Sequence, residues 1–333
     1  MTRVSLGDAS LTNILARQGA ELRGKVQRAS QEVATGRHAD LGKVLRGDIV
    51  PLLAIDASLA RLSAYGRATT DAATQAAAQQ AAMSGLSALA SGITTTLIGA
   101  RDFQTSVQIS ALGAEARGRL ESAIGLLNTQ AGGRAIFAGA ETGTVPLGSV
   151  EDMLTALETA TVGAVTGGQV AAAVAGWFDD PMGFGAFYRG GDPLSPLSIA
   201  PGETAELGTT AMDPALRKTL AGFAMAALID RGVLANDHAE RALLAASAGQ
   251  TLLTGEDARI TLAARIGTAE ARIEAARVRN AAEATALGVL RSEIGSVDPY
   301  EAATRLETAR TQLESLYLVT ARVSRLSLTE FLR

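Results

Sequence analysis

The chain has 333 residues, no cysteine and a formal net charge of −4. Disulfides, thiolate chemistry and cysteine-ligated metals are therefore excluded, and the charge makes no electrostatic case for nucleic acid or an anionic membrane. Hydrophobic residues reach 47% but aromatics only 4%, an alanine-rich composition that suits thin helical bundles better than a broad sandwich core.

Residues 8–36 read as one helix. Leu11, Leu15, Gln18, Leu22, Val26, Ala29 and Val33 recur at steps of three and four and share one face, and Gly36 supplies a stop. The segment 37–49 is irregular in pattern, and Pro51 suits the first turn of a following helix. A long helical region is expected over about 52–131, with Leu86, Leu89, Ile93 and Leu97 on one face and Gly99 or Gly113 as interruptions. No uninterrupted apolar run approaches the roughly 20 residues that span a bilayer, and the first residues lack the apolar core of a secretory signal. Membrane insertion is not expected.

Composition changes past Arg134. Between Ala135 and Leu216 the only basic residue is Arg189, whereas 141–206 holds nine acidic residues. Trp177, Phe178, Phe184, Phe187 and Tyr188 cluster there. Short β-like pieces (AIFAG, GAFYRG, LSIA, TAELG) alternate with turn residues, around two short helices expected at 149–160 and 167–177. This reads as a small mixed α/β domain with an aromatic core and an acidic exterior, removable over 142–210. Asp213 and Pro214 restart helix. From Ile266 a heptad stripe runs through Ala269, Ile273, Ala276, Asn280, Glu283, Leu287, Leu290 and Ile294. Asn280 and Glu283 either fix register or mark drift of the stripe onto solvent. After a break at 295–299, Leu306, Leu313, Tyr317 and Thr320 form a second run.

Chemistry finds little purchase. His38 and His238 read as solvent-facing residues near helix ends rather than metal ligands. AGGRAIFAGAETG lacks the lysine and following helix of a phosphate cradle, and Asp179 with Asp180 reads as a solvated loop pair. Arg259, Arg265, Arg272, Arg277 and Arg279, interleaved with glutamates, read as a salt-bridged surface. No catalytic residue, cofactor or metal site is assigned, and an enzyme is the poorest reading.

Three segments carry a family resemblance. LRGKVQRASQEVATGRHADL holds Ala34, Thr35, Gly36 and Arg37 as an "ATG-R" turn. LLNTQAGGRAIFAGAETGTVPL holds Asn128, Gly133, Arg134, Phe137, Ala138 and Gly139. DPYEAATRLETARTQLESLYLVTARVSRLSLTEFLR holds Leu306, Gln312, Leu313, Glu314, Tyr317, Leu326, Ser327, Leu328, Phe331 and Leu332. Together they resemble the flagellar hook-associated protein 3 family, the hook–filament junction proteins related to flagellin. HADLGKVLRGDIVPL after the turn is similar to the alphaproteobacterial branch and departs from the proline- and aspartate-rich segment of many relatives.

The resemblance implies a mainly α, elongated flagellin-like helical rod, with long antiparallel helices, terminal coiled-coil arms and a small inserted mixed domain. The arms would be 1–50 and 295–333, the rod with its short hairpin 51–140 and 213–294, and the variable acidic insert 141–212. It implies assembly through Leu11, Leu15, Leu22, Val26, Val33, Leu306, Leu313, Tyr317, Leu326, Leu328 and Phe331. The rod would meet the insert at Asn128, Gly133, Arg134, Phe137 and Gly139. Partners implied are further copies in a ring, a neighbouring hook-associated protein, flagellin, and an export chaperone on the C-terminal helix. The type III flagellar route would secrete the chain to the hook–filament junction. Flagellin itself is the near alternative. A cytoplasmic helical signalling or scaffold protein is the alternative of another class, and it predicts unbroken heptads with no use for an acidic insert.

Overall fold

Helix starts follow the local capping signals. Asp213 and Asp298 each precede a proline and cap the helices that follow, accepting bonds from Ala215 N (2.9 Å) and Tyr300 N (2.8 Å). Thr105, Ser149 and Thr166 each close a reciprocal capping box with the residue three positions on. The computed structural model describes the backbone of residues 6–331 and the side chains of residues 10, 13–323 and 325.

The helices are α1 (Leu6–Thr35), α2 (Leu41–Val44), α3 (Val50–Ile98), α4 (Ser106–Leu127), α5 (Val150–Ala160), α6 (Gly167–Asp179), α7 (Phe184–Phe187), α8 (Pro214–Asp230), α9 (His238–Thr254), α10 (Glu256–Gly295) and α11 (Pro299–Phe331). Two antiparallel hairpins complete the described fold: β1 (Gln130–Ala131) with β2 (Arg134–Ala135), and β3 (Leu197–Ala200) with β4 (Glu203–Ala205). The fold is thus mainly α with a small β region.

The expected long helix over 52–131 breaks at Gly99, where one 3-10 turn (Gly99–Asp102) leads to the Thr105 cap. Gly113 interrupts nothing. It lies inside α4, where a β-carbon would stand 2.8 Å from Asp230 N, so the glycine permits α4 and α8 to approach. Of the β-like pieces, LSIA forms β3 and TAELG overlaps β4. GAFYRG instead overlaps the single turn of α7, and AIFAG contributes only Ala135 to a strand. By length and composition alone, Val50–Asp102 is apolar enough to cross a membrane. Alanines and hydroxyl residues with few charges produce that, without any long run of bulky apolar residues.

Two units compose the chain: Met1–Arg61 with Ala282–Arg333, and Leu62–Ala281. In the central unit α8 is the hub. Leu220 to Ile229 are all buried, and α8 packs on α4, α9, α6 and α5. The sequence TLAGFAMAALI is an apolar run of the kind a fully buried helix shows, and reading it as a mere restart of helix undervalued it. A second, smaller cluster joins Ala72 and Ala76 of α3 to Ala269, Ile273 and Ala276 of α10, sealed by Ile199, Ala200, Ala205 and Leu207 from the β3–β4 hairpin region.

The aromatic cluster is present, with Trp177 edge-on to Phe178 at 5.1 Å and Phe178 stacked on Phe184 at 5.1 Å. It does not close on itself. Met153, Leu154, Leu157, Val170, Val174, Phe178 and Phe184 belong to one core with α4, α8 and α9. The segment expected to be removable therefore supplies part of the main core, because the apolar faces of α5 and α6 have no other cover.

Candidate functional site

In the terminal unit α1 and α11 pack antiparallel: Gly19 faces Leu316, and Glu32 faces Arg305 at 3.7 Å. Gly36 ends α1 in the left-handed region (φ 67°), and its carbonyl accepts from Val297 N (3.0 Å) while His38 N donates to Gly295 O (3.0 Å). The turn after α1 is thereby bridged to the turn before α11. Among the described residues of this unit the buried apolar ones are Ala29, Ile55, Val297, Ala302 and Ala309. Most of the larger ones stay partly or fully wet. Leu15, Leu22, Val26, Leu306 and Leu313 are half-buried, whereas Val33 and Tyr317 are exposed. The side chains of Leu11, Leu326, Leu328 and Phe331 lie outside the described residues.

Helix α10 carries two apolar stripes on opposite sides. One is the expected stripe, of which Ile266, Ala269, Ile273, Ala276 and Asn280 are buried, Leu287 and Ile294 half-buried, and Glu283 and Leu290 exposed. The other was missed: Ile260, Gly267, Ala271, Val278, Ala282 and Val289 recur at heptad-compatible steps of four and seven, and all but half-buried Gly267 are exposed. Ile260, Val278 and Val289 are each more than half exposed. The same periodicity was legible on both faces, but alanine and glycine between the larger residues hid the second.

Asn280 is buried and donates from Nδ2 to Ile199 O (2.8 Å), while Glu283 is exposed. The polar pair thus splits: Asn280 pins the β3–β4 hairpin, and Glu283 faces solvent. Asn280→Ala should cost about 1–3 kcal/mol in urea unfolding, the penalty for stranding a buried carbonyl, with hydrogen exchange accelerated over 197–205. Unchanged exchange there would show that the pin is not needed.

The expected junction residues lie at the end of α4 and along the hairpin and loop that follow it. Asn128 ends α4 and pairs in both directions with Leu147, Nδ2 donating to its carbonyl and Oδ1 accepting from its amide, both at 3.0 Å. Gly132 and Gly133 both have positive φ (58° and 76°), as the two-residue turn from β1 to β2 requires. Phe137 is buried, and its carbonyl accepts from Ala211 N (3.0 Å) and the Tyr188 hydroxyl (3.3 Å). Burial pushes the Tyr188 phenol above its ordinary value. Gly139 (φ 60°) passes so close to the Gly191 and Asp192 carbonyls that no β-carbon fits. Arg134 is exposed on β2. Gln79, missed in the sequence because it sits in an alanine tract, is buried on α3 and donates to Ile136 O (3.1 Å) and Leu207 O (3.3 Å).

Charged side chains need one correction. Arg259 is not on the surface: it is buried, donating to Leu252 O (3.0 Å) at the end of α9. Arg241 likewise donates to Ile229 O (3.1 Å) near the end of α8. Each places its positive charge where a helix C-terminus favours it. Arg277 pairs with Glu274 (2.8 Å) as the interleaving suggested, but Arg279 reaches Glu203 on β4 (2.6 Å). His238 Nε2 contacts Phe103 O at 3.0 Å, and His38 lies 3.8 Å from Glu32. No cluster suited to a metal ion occurs among the described residues.

On α5, Glu158 and Glu151 both bind Arg231 (2.7 and 2.6 Å), and Glu151 also meets Arg117 of α4 at 3.3 Å. Hydrogen bonding to Arg231 holds the Glu158 carboxyl below the ordinary carboxylate range. A lowered folded value means the contribution is complete above the unfolded value, about 4.3, and fades as pH falls through the folded one. The urea midpoint should therefore drop from pH 6 to pH 3, and Arg231→Met should show a shallower drop. An equal drop in the variant would remove Glu158 from the acid response.

The profile of the bacterial flagellin C-terminal helical region matches residues 258–332, which takes in nearly all of α10 and α11. No curated protein matches. The crystal structure of Bacillus cereus FlgL is similar at a TM-score of 0.50 and 16% identity, covering 72% of this chain and 98% of that one. A candidate flagellar hook-associated protein from Vibrio parahaemolyticus gives 0.47 and 14%, covering 75% and 99%, which is too low to bear on the fold. The chain shares its fold with Bacillus cereus FlgL, and its last two helices match the flagellin C-terminal helical region.

Proposed function

We propose that the chain is a structural subunit of the bacterial flagellum that joins hook to filament. It would be exported by the flagellar type III route and built into a ring of identical copies. The observation that carries this reading is the inverted burial of the terminal unit. Among its described residues the buried apolar ones are mostly alanines, while Val33, Leu53, Val289, Tyr317 and Leu318 face water. Leaving such area wet costs about 25 cal/mol per Å², a cost that neighbouring subunits would relieve. The flagellin-type C-terminal match and the fold shared with Bacillus cereus FlgL support a flagellar structural role.

In this reading α1 and α11 form coiled-coil arms that meet the neighbouring hook-associated protein on one side and flagellin on the other. Before assembly, an export chaperone would cover the exposed face of α11. Deleting the gene should give cells with hooks, no attached filaments and flagellin released into the medium. Attached filaments in normal number would overturn the proposal. Labelled subunit found along the whole filament would instead make the chain a filament subunit.

A further inference from the structure

Although the chain as a whole is acidic, one groove of the terminal unit is basic. It lies between α1, α2 and α11, encloses about 400 Å³, and is rimmed by Lys25, Arg28, Lys43 and Arg305. Its floor is made by Ala29 and Ala309, both buried. The two acids in the groove are already engaged. Asp40 caps α2, accepting from Lys43 N (3.2 Å), and Glu32 accepts from Ala39 N (3.1 Å). Their ion pairs with the rim are long, 3.8 Å to Lys43 and 3.7 Å to Arg305. Lys25 has its nearer partner outside the groove, in Glu21 at 2.9 Å. Arg28 makes no salt bridge among the described residues.

We propose that this groove receives an acidic amphipathic helix from a partner protein. The alanine floor leaves space for the ridge of a third helix between two antiparallel ones. On either side, Lys25 and Arg28 from α1 and Arg305 from α11 stand where a coiled coil reads the charges flanking its seam. Their long stems can cover the apolar edge of the incoming helix while the cationic heads meet its carboxylates. An extended peptide would need main-chain partners, and α1 and α11, as continuous helices, have spent theirs internally. A second copy docking through the exposed stripe of α10 fits poorly. Arg265, Arg272 and Arg279 border that stripe on one side and would face a basic rim. The inference stands on the groove itself and does not depend on where in the flagellum the chain acts.

The probe is an amphipathic peptide of about three heptads built from leucine, alanine and glutamate, with a twin carrying lysine for every glutamate. Both are titrated into the full chain by calorimetry at low and at high salt. The glutamate peptide should bind, bind less tightly at high salt, and lose at least about tenfold in affinity to Arg28→Glu with Lys43→Glu. The charge-neutral pair Arg28→Gln with Lys43→Gln should fall between, and its circular dichroism checks that the arms remain folded. No binding of the glutamate peptide, or equal binding of the lysine twin, would overturn the proposal. So would concentration-dependent self-association of the chain that the reversed pair removes, since that gives the groove to a second copy.

Discussion

Val278→Asp together with Val289→Asp is expected to leave the urea unfolding of the isolated chain within about 0.5 kcal/mol of the parent. The same pair should give cells whose hooks carry no attached filaments. Both valines are more than half exposed on the outer stripe of α10, so a charge there meets water in the free chain and displaces no packing. Helix propensity differs little between the two residue types. If neighbouring copies cover the stripe, each aspartate is buried unpaired at every subunit of the ring. The loss is then on the order of 2–4 kcal/mol per contact, repeated around the circle. Electron microscopy with an assay for shed flagellin checks the cellular outcome, and the urea curve checks the other. Normal filaments would reduce the outer stripe to ordinary alanine-rich surface.

The second large effect concerns the segment from the end of the first hairpin loop through the second hairpin. Joining Glu141 to Ala211 by a short turn should yield a chain without a cooperative melt, retained in the cell or degraded instead of secreted. The deletion removes Met153, Leu154, Leu157, Val170, Val174, Phe178 and Phe184, each no more than 2% exposed. It would strand their partners on α8 and α9. Truncating a single such residue to alanine costs about 2–5 kcal/mol. Seven together exceed the roughly 5–15 kcal/mol that hold a domain. Calorimetry and near-ultraviolet circular dichroism would decide. A sharp melt in the shortened protein would show that α8 finds other cover.

Much of this was legible from residue spacing and punctuation. The Gly36 stop, the Asp213 start, the break before α11, helices α5 and α6 and the β3 strand follow from local signals that act within a few residues. What escaped were choices made by distant chain. Nothing near Asn280 announces Ile199 as its partner, and nothing near Gln79 announces the carbonyls of residues 136 and 207. Arg259 reads as surface by composition, and only the arrival of the α9 end makes it internal. The apolar run of α8 was visible but its rank was not, because centrality is a property of how many faces close on a helix. For the candidate site, spacing picked out Leu15, Leu22, Val26, Leu306 and Leu313, which are half-buried, and Val33 and Tyr317, which are exposed, while the outer stripe of α10 was masked by its own small residues.

The bridge from Gly36 to Val297 and from His38 to Gly295 also fixes an order of events. A chain made or threaded N-terminus first presents α1 long before residues 295–331 exist to receive it. At about 5–20 residues per second, synthesis leaves α1 unmated for an interval on the order of tens of seconds. A single amphipathic helix is marginal in water over that time, so α1 travels as a fluctuating segment and gains its geometry last. The end that emerges first is thus the end that finishes last, and any truncation before Gly295 leaves both the bridge and α1 without a counterpart.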